Sequence, residues 1–242
     1  MKAMIIAAGE GKRLAKYSKK KPKTLIEISG TPILGHILNN LIKEDIKEVL
    51  IVTGYNGEMI REFVSKNYAN LKVEYVHNKD YDKTNNIYSV YLTKDKMINE
   101  SFFLINSDVL FHPKILEKLK NTDKRGLVLS VDLYKKLGEE EMKVKIERDL
   151  IVEISKEINP EEADGEYIGL TRIDKLMSKT FFQVVEETIE KKGKNVFYEE
   201  AFQGIIDHGY EVKYESTQGL PWIEIDTPED LKVAKEEIAP KI

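Results

Sequence analysis

An α/β fold with a mostly parallel sheet flanked by helices, carrying a small antiparallel excursion, is what this sequence predicts. Three observations carry that expectation. Short, largely apolar runs of strand length (residues 3–8, 47–53, 101–106 and 127–131) recur with amphipathic stretches between them, the alternation that right-handed crossovers build into a parallel sheet. The runs are near-continuously apolar, as strands covered on both faces are. Residues 142–147 and 150–155 instead alternate apolar with charged side chains around Arg148-Asp149, the pattern of an antiparallel hairpin with one solvated face.

Each element follows in order. The first strand, 3–8, runs into Gly9 and Gly11, where the chain turns with little side-chain bulk. Residues 24–28 form a short apolar piece before the turn residue Gly30. Thr31-Pro32 reads as an N-cap followed by proline at the first helical position. Ile33, Ile37, Leu38, Leu41 and Ile42 then share one face of a helix over 33–43. The strand 47–53 ends at Gly54, and a helix over 56–67 and a strand over 71–76 follow. Residues 101–106 make a buried strand ending in Ser107-Asp108, 113–120 a short helix and 127–131 another strand. Beyond the hairpin, 167–171 returns to the sheet, 173–192 has the spacing of a long amphipathic helix, and 197–208 predicts another. Late strands are expected at 212–214 and 222–225. Thr227, Pro228 and Asp230 mark a helix start, with Thr227 as cap and Asp230 as the acid three residues on.

Composition bounds the function. At 242 residues the chain is most simply one domain spanning 1–242, with a hairpin or cap inserted around 132–170. Hydrophobic residues make up 41% and charged residues 33%, which allows a substantial core and argues against disorder. A net charge of −4 argues against a dedicated nucleic-acid binder, which carries a basic face across its domain. The absence of cysteine excludes structural disulfides and Cys-ligated zinc. No long apolar run of membrane-spanning length occurs and the N-terminus enters a strand directly, so a cytoplasmic location without a membrane partner is expected. Abundant Lys and Glu without Cys would suit a heat-adapted source.

A glycine-rich turn at the carboxyl end of a buried strand lets backbone N–H groups approach an anion closely. Beside it, Lys12, Arg13, Lys16, Lys19, Lys20, Lys21 and Lys23 place seven cations within twelve residues. The physical reading is a polyphosphate cradle, although a lysine run standing alone is a solvated face. Leu14 breaks GxGxxG and no GxxxxGK[ST] occurs, so the dinucleotide fingerprint and the Walker A loop are both absent. Ligands of open α/β sheets bind outside the carboxyl ends of the strands. Four features fall there: residues 9–13, residues 78–86, Asp108 after FFLINS, and Asp226 after WIEI. Two such carboxylates can hold one Mg²⁺ together with substrate phosphates; singly, Asp108 could cap its turn and Asp226 could belong to the helix start. Asn85 and Asn86 offer the donor and acceptor groups that base recognition needs, or only the turn and N-cap of a helix over 87–92. One can cap while the other reads the base.

The set AAGEGKR, KPK, a strand-end Ser-Asp and WIEIDTPEDL resembles the nucleotidyltransferase family over nearly the whole chain. TNNIYS at 84–89 is similar to a segment of the phosphocholine cytidylyltransferases of the bacterial choline-incorporating type, as are EEEMKVKI, IVEISKEI and EEADGEYIGL. The loop is shorter in glycine than the GGxGTRL of sugar-activating members. The resemblance implies a Rossmann-like mixed sheet of the nucleotide-diphospho-sugar transferase type. It also implies Mg²⁺-dependent transfer of CMP from CTP to a small phosphate or phosphonate ester, phosphocholine-like first, with release of pyrophosphate. Members of that subgroup act also on inositol 1-phosphate and on phosphonates such as 2-aminoethylphosphonate.

By the same resemblance, Arg13 holds the departing β,γ-phosphates and Lys23 sits between the α-phosphate and the attacking group. Asp108 and Asp226 bind Mg²⁺, and Ala8, Gly9, Gly11, Asn85 and Asn86 bind the nucleotide. A choline-like acceptor would want an aromatic face with carboxylates. Trp222, the only tryptophan, with Glu224 beside it, and Glu166 and Tyr167 from the other wall are the candidates, with Asp132 and Tyr134 as further ones. Trp222 and Tyr167 are equally well ordinary core aromatics. Two other functions stay open: a sugar-1-phosphate nucleotidyltransferase using UTP, dTTP or GTP, and a non-catalytic nucleotide-binding regulatory module. His36, His77, His112 and His208 show no metal-ligand spacing. CTP and the acceptor are the expected partners, nucleic acid is not, and a homodimer remains an option.

Overall fold

The computed structural model describes residues 1–18 and 20–242; Lys19, counted above in the basic cluster, lies outside the described residues. Its strands are β1 (Lys2–Ala7), β2 (Glu27–Ile28), β3 (Thr31–Pro32), β4 (Glu48–Thr53), β5 (Lys72–His77), β6 (Phe102–Asn106), β7 (Val109–Phe111), β8 (Leu127–Asp132), β9 (Lys143–Glu147), β10 (Leu150–Ser155), β11 (Gly165–Ile173), β12 (Val212–Ser216) and β13 (Trp222–Glu224). Among the described residues the main sheet runs β5-β4-β1-β6-β11-β8-β12-β10-β9.

β1 pairs in parallel with β4 and β6, setting Ile5 level with Ile51 and with Ile105. Its side chains alternate between two cores, Ala3, Ile5 and Ala7 entering one and Met4 the other, which is why the run is apolar throughout. Helices Ile33–Lys43, Gly57–Asn67 and Pro113–Asn121 cover the first face through Ile37, Leu41, Ile60, Val64, Leu116 and Leu119. Helices Asn86–Tyr91, Lys175–Lys192 and Glu199–Asp207 cover the second through Ile87, Val90, Phe181, Phe182, Phe202 and Ile205. β11 makes the sheet mixed, entering antiparallel between β6 and β8. The predicted α/β architecture is the observed one.

The antiparallel excursion goes further than a hairpin. β9 and β10 pair around Arg148 and Asp149, both left-handed (φ 50° and 62°), a two-residue turn whose twist matches the strands it joins. However, β9 also pairs with β11 (Gly165 with Val144) and β10 with β12 (Ile151 with Val212), so β11, β8, β12, β10 and β9 close on themselves. Closure buries Lys143, a charged position of the alternating pattern. Its ammonium donates to the carbonyls of Gly138, Glu139 and Glu141 at 3.1, 2.9 and 3.2 Å, the compensation a buried charge requires.

One local expectation is corrected and one strand is added. Thr31 does not cap the first long helix: Thr31 and Pro32 pair with Ile28 and Glu27, and the helix starts after Pro32 without a side-chain cap. β7, unrecognised in the sequence, pairs antiparallel with β13, Val109 opposite Glu224; three residues are too few for a periodicity to show. The start at Thr227 is a complete capping box. Thr227 Oγ1 accepts from the Asp230 N–H at 3.2 Å, and Asp230 Oδ2 accepts from the Thr227 N–H at 2.8 Å. No described helix is long and apolar enough to cross a membrane.

Candidate active site

A cavity of about 490 Å³ opens at the carboxyl ends of β1 and β6, where Ala7 and Asn106 line it. The loop after β1 forms one rim through Gly9, Gly11, Lys12 and Arg13, and Lys23 enters the floor beside it. Gly11 is left-handed (φ +67°), and a Cβ there would lie 2.6 Å from Lys23 Cβ. The bare backbone at Gly11 therefore lets Lys23 pass. At Gly9 a Cβ would meet no described atom within 4 Å, so that face of the loop is open.

Asp108 lies in the short link between β6 and β7, held there by the Ile225 N–H donating to its carbonyl at 3.0 Å. β13 ends at Glu224, and Asp226 follows just before the capping box. The amide of Asp226 belongs to that cap, donating to Asp230 Oδ2 at 3.0 Å, while its carboxylate faces the cavity. The backbone of Asp226 thus belongs to the helix start, while its side chain stays outside the cap. Lys23 Nζ reaches Asp108 Oδ2 at 2.7 Å and Asp226 Oδ1 at 2.5 Å, and Arg13 Nη2 reaches Asp226 Oδ2 at 2.7 Å.

These charges shape one another. Burial works against the Lys23 ammonium, but Asp108 and Asp226 outweigh it and hold its pKa above the ordinary lysine range. Enclosure opposes ionisation of Asp226 too, yet Lys23 and then Arg13 bring it below the usual carboxylate value. Glu224, reached by solvent through the cavity but otherwise hemmed in by protein, is pushed up to about 8, first by that enclosure and then by Asp108 and Asp226. Asp108, Glu224 and Asp226 each offer a carboxylate oxygen within 4.8 Å of the others. Asp108 Oδ1 is buried with no hydrogen-bond partner among the described residues. An all-oxygen set with an unspent acceptor fits a hard divalent cation. The sequence had pointed to Asp108 and Asp226 for this role; Glu224, expected on the acceptor side, stands with them.

Opposite the glycine loop, Asn78 organises residues 78–86. Its Nδ2 donates to Thr84 Oγ1 and Ser89 Oγ at 3.2 and 3.1 Å, and its Oδ1 accepts from the Asp80 N–H at 3.0 Å. This places Tyr81, Asp82, Asn85 and Asn86 on the cavity wall. Asn85 is the N-cap of its helix, its Oδ1 accepting from the Asn86 N–H at 2.7 Å. Asn86 is also committed: its Oδ1 accepts from the Tyr198 N–H at 2.8 Å, and its side chain bears on Glu199. Ala8 does not line the cavity, and its carbonyl accepts from the Tyr55 N–H at 3.1 Å.

The far end differs from expectation. Tyr167 lines it, but Trp222, which pairs with Phe111 of β7, packs in the core, with Nε1 donating to Asp132 Oδ2 at 2.6 Å and Lys135 Nζ 5.2 Å from its ring centroid. Glu166 is buried outside the cavity and pairs with Lys135 at 3.1 Å. Asp132 is occupied by Trp222 and by the Tyr134 N–H at 2.9 Å, and the Tyr134 side chain is exposed. None of these four lines the cavity.

In their place stand Asn106, Lys156, Phe197 and Glu199, with Glu140 and Met142 at the edge. Thr171 Oγ1 donates to the Tyr167 hydroxyl at 2.7 Å, Tyr167 and Tyr198 share a hydrogen bond at 2.9 Å, and Tyr198 donates to Asn106 Oδ1 at 2.9 Å. Gly169 (φ +79°) sits in the bulge of β11 that brings Tyr167 there; a Cβ on it would lie 2.8 Å from Asn106 Nδ2. Nothing local in the sequence singled out Glu199 or Lys156, which read as ordinary members of a helix start and a strand end.

The family model described as nucleotidyl transferase matches residues 2–239. A CTP:phosphoglutamine cytidylyltransferase of Campylobacter jejuni is 30% identical over 254 residues, covering 96% of this chain and 98% of that protein. A CMP-5'-(3-aminopropyl)phosphonate synthase of Streptomyces rubellomurinus is 27% identical over 248 residues, covering 99% of this chain. That relative and another curated one are longer proteins, of which the chain spans 39% and 50%. The inositol-1-phosphate CTP transferase structure from T. maritima superposes with a TM-score of 0.83 at 24% identity, covering 98% of this chain and 97% of that one. The chain is a member of the nucleotidyltransferase family.

Proposed function

We propose that the chain is a cytidylyltransferase, moving CMP from CTP to a small phosphate or phosphonate ester and releasing pyrophosphate. The observation that carries this reading is the meeting of Lys23 and Arg13 with Asp108, Glu224 and Asp226 beside an open glycine loop. Cytosine as the base is supported by the two curated relatives, one named for CMP and the other for CTP.

In this reading the loop amides and the Arg13 fork receive the β- and γ-phosphates, and Gly9, Gly11 and the Asn85 amide bound the nucleotide. Lys23 neutralises both the α-phosphate and the incoming anion, whose mutual repulsion would otherwise oppose reaction. An oxygen of the acceptor's phosphate or phosphonate bonds to the α-phosphorus. The bond from that phosphorus to the α–β bridging oxygen breaks, and its electron pair leaves with pyrophosphate. The acceptor oxygen is already ionised at neutral pH, so no side chain need remove a proton. Asp108, Glu224 and Asp226 would hold Mg²⁺, which when bound supplies Lewis-acid stabilisation of charge on the phosphate oxygens. For that, Lys23 and Arg13 turn from the carboxylates to the phosphates, exchanging one set of anions for another.

Pyrophosphate release with CTP, UTP, dTTP and GTP, Mg²⁺ and a panel of phosphate and phosphonate acceptors tests the reading. CTP should lead the other nucleotides. Preference for a purine nucleotide would end the cytidylyl assignment, and nucleotide binding without turnover on any acceptor would favour a regulatory module.

A further inference from the structure

The acceptor end of the cavity holds a carboxylate that the roles above do not use. Glu199 lines the cavity, is only 5% exposed, and its Oε2 is buried without a hydrogen-bond partner among the described residues. Leaving such a group unpaired is costly, so its persistence points to a ligand. The Asn86 side chain, whose Oδ1 takes the Tyr198 N–H, also hydrogen-bonds Glu199, and the Tyr198 hydroxyl donates to Asn106, so Oε2 is the atom left without a partner. Lys156 bears on Glu199 through its field, but its ammonium rests over the Phe197 ring, 5.1 Å from the centroid.

The aromatic side chains at this end do not form a cage. Phe197 already has Lys156 on its face, Tyr167 meets the Phe202 ring edge-on with its hydroxyl in the Thr171–Tyr198 chain, and Trp222 lies outside. A quaternary ammonium, which has no N–H and relies on aromatic faces, would find little here. A primary ammonium would give an N–H to Oε2 and a cation in direct contact with a carboxylate that Lys156 reaches only through its field. A neutral hydroxyl would do the first and not the second.

Resting on the cytidylyltransferase reading, we infer that Glu199 is the specificity-determining residue of the acceptor site and that it selects a phosphate or phosphonate ester ending in a primary ammonium. This separates acceptors that the sequence left together, and it turns away from phosphocholine.

The test uses two- and three-carbon phosphonates ending in an amine, a hydroxyl or a trimethylammonium group, with CTP and Mg²⁺, on the full chain and on Glu199→Gln and Glu199→Asp. For the unaltered chain, kcat/KM should be highest with an amine. The amine-to-hydroxyl ratio should fall about 10- to 100-fold in Glu199→Gln, the worth of a hydrogen bond to a charged group, while Glu199→Asp retains part of it. KM for CTP should move far less than KM for the amine. Equal use of the trimethylammonium compound, or an unchanged ratio in Glu199→Gln, would overturn the inference and leave the cytidylyl reading standing. Should no acceptor release pyrophosphate, that reading fails instead. Calorimetric binding of the same compounds then still decides the role of Glu199: amine binding that Glu199→Gln weakens supports it, and binding indifferent to the amine or to the variant overturns it.

Discussion

Lys23 and Asp226 are separated by 203 positions in the chain and by 2.5 Å between Nζ and Oδ1. With Asp108 Oδ2 at 2.7 Å from the same ammonium, a lysine from the first loop ties together two acids brought in by β6 and β13. The pairs are partly buried, so their attraction is screened less than that of surface pairs, and removing one partner leaves charge that solvent only partly relieves.

Lys23→Met is therefore expected to lower kcat/KM for CMP transfer by about 10²- to 10³-fold, the scale for losing one charge-stabilising donor. It also leaves Asp108, Glu224 and Asp226 facing one another. Its melting temperature should drop in chelator and recover with MgCl₂ by more than the unaltered protein gains. Unaltered turnover would remove Lys23 from the chemistry. Loss of folded protein in both conditions would make it a structural lysine.

Asp108→Asn keeps the shape of the link between β6 and β7 but removes a carboxylate from the cation set. Circular dichroism should report a native fold, while Mg²⁺-dependent pyrophosphate release is lost. Full activity in this variant would dismiss the metal role.

The two glycines of the first loop should respond differently to alanine. At Gly11 the left-handed backbone costs about 1–2 kcal/mol, and the new Cβ collides with Lys23, so stability and turnover fall together. At Gly9 the added methyl has room, and stability should stay within about 0.5 kcal/mol. The effect of Gly9→Ala should appear as a raised KM for CTP. Denaturant titration beside steady-state kinetics separates the two.

Glu166 supplies a pH prediction away from the cavity. Burial pushes its pKa up to about 7, against the pull of Lys135. The folded state thus holds this proton more tightly than the unfolded chain does. Stability should fall as pH rises from the unfolded value near 4.5 to about 7 and then level off, by about 3 kcal/mol for this group alone. Glu166→Gln should flatten that part of the profile. Urea unfolding at intervals between pH 4.5 and 8 measures it, and an equal slope in both proteins would contradict the assignment.

Where residues act through near neighbours or through burial on both faces, the sequence was sufficient. β1 was legible because Ala3, Met4 and Ile5 all enter a core, and the capping box because Thr227 and Asp230 lie within one turn. The acids at strand ends were legible for the same reason: a buried strand breaking off into Ser107-Asp108 or Asp226 has to emerge at the edge of the sheet, where ligands bind.

Pairings between distant segments were decided only in the tertiary structure. Closure of β9 and β10 onto β11 and β12 depends on Ile151 meeting Val212 and Val144 meeting Gly165, contacts with no local signature. The far wall of the cavity followed from the same kind of pairing. Composition could mark Trp222 as aromatic and Glu166 as acidic, but their direction was settled by partners far along the chain, Asp132 for one and Lys135 for the other. Glu199, unremarkable at the start of a helix, became a buried acid facing the cavity because Asn86 holds the Tyr198 backbone in place. A residue's chemical type is set by the sequence; which side chains it meets, and so what its charge is worth, is set by packing.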